Sequence, residues 1–124
     1  MERRTRQRQA IEAALAAAER PLTPVEVLDA ARHHVPQLGL ATVYRALRAL
    51  IQDGAAHLVE IPGTPPRYET AHLGHHHHFH CRQCHRLYEV EGCPGNLARY
   101  APPGFRLDGH DVVLYGRCAQ CGAA

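Results

Sequence analysis

The sequence predicts an α+β fold in two parts, and three features predict it. Residues 6–53 carry helical periodicity, residues 56–70 read as a hairpin, and the chain past Gly74 reads as short strands punctuated by proline and glycine. Within that second part lie two CxxC pairs, Cys81/Cys84 and Cys118/Cys121, whose spacing suits one tetrahedral metal ion with every position filled by thiolate.

The elements can be justified in order. From Arg6 to Glu19, the apolar positions Ala10, Ile11, Ala14, Leu15 and Ala18 recur at helical spacing and give one amphipathic helix. The next helix starts at Thr23-Pro24-Val25-Glu26: threonine caps, proline takes the first turn and the glutamate completes a capping box. It should run to about Val35, because Pro36 forces the residue before it into an extended conformation. A third helix follows Gly39, buries Val43, Leu47, Leu50 and Ile51, and stops at Asp53-Gly54. Three short helices suggest a helix-turn-helix. Strands at Ala56–Ile61 and Arg67–Thr70, around the turn from Pro62 to Pro66, turn it into a winged helix.

Beyond Gly74, strands are expected at Phe79–Cys81, Leu87–Glu91 and Val112–Tyr115, with a short helix at about Asn96–Tyr100 between Pro94-Gly95 and Pro102-Pro103-Gly104. The expected division is residues 1–70 for the winged helix, 71–74 for a hinge and 75–124 for a metal-binding domain. With 124 residues shared between two domains, each core is thin, and a structural zinc would contribute folding free energy to the second.

Composition limits the function classes. The net charge of +2 favours no particular partner, but Arg3, Arg4, Arg6 and Arg8 form a basic arm suited to phosphate contact. All fourteen basic residues are arginine, from which nothing functional follows. The chain shows neither a signal peptide nor a membrane span, and its fifth cysteine, Cys93, is unpaired by motif. The expectation is therefore a cytoplasmic protein that uses its cysteines for zinc, with Cys93 a free thiol in a loop. The histidine run is internal and broken by Phe79, unlike a purification tag. On a strand, His76 and His78 face one side and His75 and His77 the other, which makes two potential sites.

The string Gly39-Leu40-Ala41-Thr42-Val43-Tyr44-Arg45-Ala46-Leu47, then Tyr68-Glu69, His75–His78, the CxxC at Cys81, His110 and the CxxC at Cys118 resembles the ferric uptake regulator superfamily of metal-sensing repressors, in order and over nearly the whole chain. The resemblance implies a winged helix joined to a small α/β dimerisation domain, a homodimer and double-stranded operator DNA as partner. It implies DNA contacts from Thr42, Tyr44, Arg45 and Arg48, to which the arm adds Arg3 and Arg4. It places structural zinc on Cys81, Cys84, Cys118 and Cys121.

It also implies a regulatory site of Glu69, His76 and His78 with one further ligand. Pro21 stands where iron-sensing members carry a histidine, and His57 aligns with the ligand of zinc-sensing members; His72 competes as a donor. A third site would use His75, His77 and His110, with Asn96 where the usual glutamate stands and Glu91 or a water as the alternatives for a fourth ligand, unless the site stays empty. His80 and His85 are expected to face solvent, and His33 and His34 to sit at the end of the second helix. The function expected is a zinc-sensing repressor, with no enzyme activity, small-molecule substrate or membrane partner. Fe2+ or Mn2+ sensing and peroxide sensing are the alternatives within the superfamily. Outside it stand a zinc buffer and a metalloenzyme, the latter without an HExxH helix to support it.

Overall fold

A computed structural model describes residues 2–71 and 76–122, with side chains from residue 5 onward. Helix α1 spans Glu2–Ala18, α2 Pro24–Ala31 and α3 Leu40–Gln52; strands β1 (Ala56–Val59) and β2 (Arg67–Thr70) follow. Strands β3 (His77–Cys81), β4 (Leu87–Val90) and β5 (Val113–Gly116) complete the chain. Two units result, residues 1–74 and 75–124.

In unit 1 the local rules act as the sequence suggests. Thr23 Oγ1 accepts from the Glu26 amide at 3.2 Å, while the Glu26 carboxylate accepts from the Thr23 amide at 2.9 Å. Burial pushes the Glu26 carboxyl up, but the Thr23 amide and the Arg20 guanidinium outweigh it and hold the group below its ordinary value. Helix α2 stops at Ala31, earlier than expected. Arg32 caps it and sends Nε to the Leu38 carbonyl at 2.9 Å, while hydrogen-bonded turns carry the chain on through Val35, whose amide donates to the Ala31 carbonyl at 3.0 Å. His33 and His34 consequently lie in an exposed turn. Helix α1, in contrast, begins before Arg6.

Strands β1 and β2 pair antiparallel, with His57 opposite Glu69, and Leu22 exchanges two backbone bonds with Tyr68, at 2.9 and 2.8 Å, as a third rung. The apolar core of this unit joins Ile11, Leu15, Val27, Val43, Leu47 and Leu50 across the three helices. Arg8 links α1 to the end of α3 through Asp53 at 2.7 Å.

Unit 2 is a sheet in the order β4-β3-β5. Strand β3 pairs antiparallel with β4 and parallel with β5. The parallel pairing demands a crossover, and residues 91–112 supply it almost without regular structure. The expected Asn96–Tyr100 helix reduces to one 3₁₀ turn at Ala98–Tyr100, capped by Asn96 Oδ1, which accepts from the Ala98 amide at 2.9 Å. Where β3 and β5 meet, a Cβ on Gly116 would come within 3.0 Å of Phe79 Cζ, so close packing selects glycine.

Candidate metal centres and DNA-facing helix

Cys81 ends β3, Cys84 lies in the turn to β4, and Cys118 and Cys121 lie in the turn after β5. Their four sulfurs all fall within 4.8 Å of one another, and Cys84 Sγ is 3.9 Å from Cys118 Sγ. Zinc–sulfur bonds of about 2.3 Å at a tetrahedral angle set sulfur–sulfur separations of about 3.8 Å, so the cluster has the dimensions of one tetrahedral zinc. The five cysteines form no disulfide. Backbone amides aim at the sulfurs: those of Cys84 and Cys118 donate to Cys81 Sγ at 3.4 and 3.3 Å. The Cys84 amide, seconded by that of Cys118, outweighs burial and brings the Cys81 thiol down to about 5. The Cys121 amide and the Tyr88 hydroxyl lower Cys118 likewise. Cys121 is driven the other way, up to about 12, chiefly by the hydrogen bond its thiol gives Cys118. A cluster with thiolate character that retains a proton for want of positive charge is one that a divalent cation completes.

The pleat of β3 presents its histidines to opposite faces. On one face, His76 Nε2 lies 2.7 Å and His78 Nε2 3.8 Å from the same oxygen, Glu89 Oε2, and the two imidazoles meet edge to face at 4.9 Å. Glu89 comes from β4, directly opposite His78 in the register. Sequence reasoning missed it, because only the pairing of β4 reveals which of its residues stands beside the histidines. In unit 1, Glu69 is buried on β2, and His57 is exposed opposite it on β1.

On the other face of β3, His77 is buried and stacks on His110, with ring centroids 5.1 Å apart. Cys93 stands between them, its sulfur 3.4 Å from His77 Nε2 and 3.1 Å from His110 Nε2. The free loop thiol expected for Cys93 is thus an exposed cysteine held against two imidazoles. His80 is a correction too: it is buried, edge-on to Tyr115 at 5.9 Å, whereas His85 is exposed. His72 and His75, like the side chains of Arg3 and Arg4, lie outside the described residues.

Helix α3 buries Val43, Leu47 and Leu50 and leaves Tyr44, Arg45 and Arg48 exposed on the opposite stripe, with Thr42 half-buried. Arg45 donates to Thr42 Oγ1 at 3.1 Å, which orients the guanidinium along the helix. Such a stripe, carried by the last helix of a helix-turn-helix, is the face that enters a major groove in this class of fold.

A winged helix coupled to a sheet with thiolate and imidazole clusters defines a metal-binding, DNA-binding regulator. The comparisons with known proteins give the family: residues 2–115 match the ferric uptake regulator family, and the chain belongs to it. A curated relative, the ferric uptake regulation protein of Campylobacter jejuni, is 31% identical over 122 residues, covering 94% of this chain and 78% of its own length. Among solved structures, a zinc-bound manganese uptake regulator superposes with TM-score 0.77 at 25% identity, over 90% of this chain and 87% of that one. FurB from M. tuberculosis, a zinc uptake regulator, does so with TM-score 0.54 at 29% identity, over 96% and 95%. Family membership makes the chain a metal-dependent regulator of the winged-helix type. Among the described residues, no helix is long and apolar enough to cross a membrane.

Proposed function

We propose that this chain is a zinc-sensing transcriptional repressor that binds palindromic operator DNA as a metal-loaded homodimer. Cys81, Cys84, Cys118 and Cys121 hold a structural zinc, and His57, Glu69, His76 and His78 form the regulatory site. The observation that carries the reading is the pairing of His57 with Glu69 across the β1–β2 hairpin, which gives unit 1 an imidazole and a carboxylate at one rung. With His76 and His78, that makes a tetrahedral nitrogen-rich set of the kind zinc prefers. Bound there, the ion links the DNA-binding unit to the sheet and favours the arrangement in which both copies of α3 meet successive major grooves. Arg45 and Arg48 then read guanine edges or phosphates, and Tyr44 packs on thymine methyls.

Glu89 favours a second reading. Its carboxylate, on His76 and His78, would make with Glu69 a set of two oxygens and two nitrogens, better matched to six-coordinate Fe2+ or Mn2+. Operator binding, measured by fluorescence anisotropy across buffered free zinc and then manganese, separates the two. On the zinc reading, DNA affinity appears at free zinc far below the effective manganese concentration, and His57→Ala abolishes the response while Glu89→Gln spares it. The reverse pattern assigns the iron or manganese branch. Arg45→Ala should cost about 1–3 kcal/mol of operator affinity at either metal.

A further inference from the structure

We propose that Cys93 completes a thiolate-bearing metal site with His77 and His110, suited to a divalent d-block ion of zinc or cobalt(II) type. The resemblance to other family members supplies no sulfur here; it leads one to expect a carboxylate, and the residue in that place, Asn96, has its side-chain oxygen engaged by the Ala98 amide. Cys93 fills the gap from three residues upstream, because the crossover forms no long helix at this point.

The distances are those of ligands about one ion. A zinc–sulfur bond of about 2.3 Å and zinc–nitrogen bonds of about 2.0–2.1 Å at a tetrahedral angle set nitrogen–sulfur separations of about 3.5 Å. The two observed separations are 3.4 and 3.1 Å. The donors come from three separate segments: β3, the loop after β4 and the loop before β5. The frame beneath them is rigid, since His77 is buried and its neighbour His78 donates its amide to the Val112 carbonyl at 3.1 Å. Three protein donors about a tetrahedral ion leave a fourth position for water or a further ligand. Exchange of a carboxylate for a thiolate moves the preference from manganese and iron(II) toward zinc, cobalt(II) and softer ions.

Metal capture has a local cost. The Val112 amide donates to His77 Nδ1 at 3.1 Å, which places the neutral ring's proton on Nε2, the atom facing Cys93. An ion on Nε2 sends that proton to Nδ1, and the Val112 amide must release it. Metal binding here should therefore speed hydrogen exchange at Val112.

The site is independent of the choice of regulatory metal and is tested without DNA. Full-length protein carrying zinc in its four-cysteine cluster is titrated with cobalt(II), and sulfur-to-cobalt charge-transfer absorption is recorded alongside iodoacetamide labelling of each cysteine by mass spectrometry. The expected result is charge-transfer absorption in the wild-type chain that is missing in Cys93→Ser and His110→Ala, and at least about tenfold slower labelling of Cys93 with cobalt bound. The Glu69, His76, His78 and Glu89 side chains hold no sulfur and cannot produce that absorption. Cobalt entering the four-cysteine cluster would give it equally in Cys93→Ser. Equal spectra in wild type and Cys93→Ser, or labelling of Cys93 unaffected by cobalt, overturns the proposal.

Discussion

The two units of this chain are held together by different physics. Among the described residues, the apolar core lies wholly in unit 1, from Ala10 to Ala56. Among the described residues of unit 2, those buried are His77, His80, Cys81, Leu87 and Cys118, of which Leu87 alone is an aliphatic side chain. Unit 1 folds by removing aliphatic surface from water. Unit 2 buries little such surface within the single chain, where Leu107 and Leu114 stay exposed, and its sheet converges on donor atoms instead. With the proposed structural zinc, metal content and fold become one variable in unit 2 and stay separate variables in unit 1.

The sharpest way to break that contrast is to take away the structural metal. Cys84→Ser, or a strong chelator, should release zinc and strip hydrogen-exchange protection from β3, β4 and β5 while α1, α2 and α3 keep theirs. Structural zinc in small domains is worth on the order of 10 kcal/mol, more than any single apolar contact in unit 1. Protection that survives in unit 2 without metal would refute the contrast.

The converse test is Leu47→Ala, which opens a cavity at a fully buried position of α3. A loss of about 2–5 kcal/mol is expected, seen as early melting of helical circular dichroism, with zinc content unchanged. Gly116→Val comes next. Its Cβ would press on Phe79, and about 1–3 kcal/mol should be lost from unit 2 alone, read as faster zinc release to a chelator.

The smallest effect concerns the capping box. The folded Glu26 carboxyl sits below its ordinary value of 4.5, so its stabilisation is complete above that pH and fades as pH falls through the folded value. Glu26→Gln should destabilise α2 by about 1 kcal/mol near neutrality, and the difference from wild type should vanish in acid. Urea titrations at several pH values would measure it.

Elements governed by local chemistry were legible in the sequence: the Thr23 to Glu26 cap, the buried stripe of α3 and the two CxxC turns each depend on residues within a turn or two. What escaped depends on partners distant in sequence. Glu89 meets His78 only through strand pairing, and Cys93 meets His77 and His110 only after a crossover that periodicity cannot trace. His80 shares the face of His78 by pleat, yet it is buried against Tyr115, a neighbour that the parallel strand brings. The missing helix at Asn96–Tyr100 has a local cause, since prolines at 94, 102 and 103 leave space for a single turn.

Strand β3 acts as a ruler. It carries His77 and His78 to opposite faces and ends at Cys81. The separation of the candidate metal centres is therefore a matter of odd and even. Exchanging one residue for another alters a single site, whereas adding or deleting one residue before Cys81 would reverse the parity of every histidine upstream and swap the two imidazole sets between faces. The cysteine end fixes the zero of the scale, so this stretch of gene should accept point substitutions far more readily than changes of length.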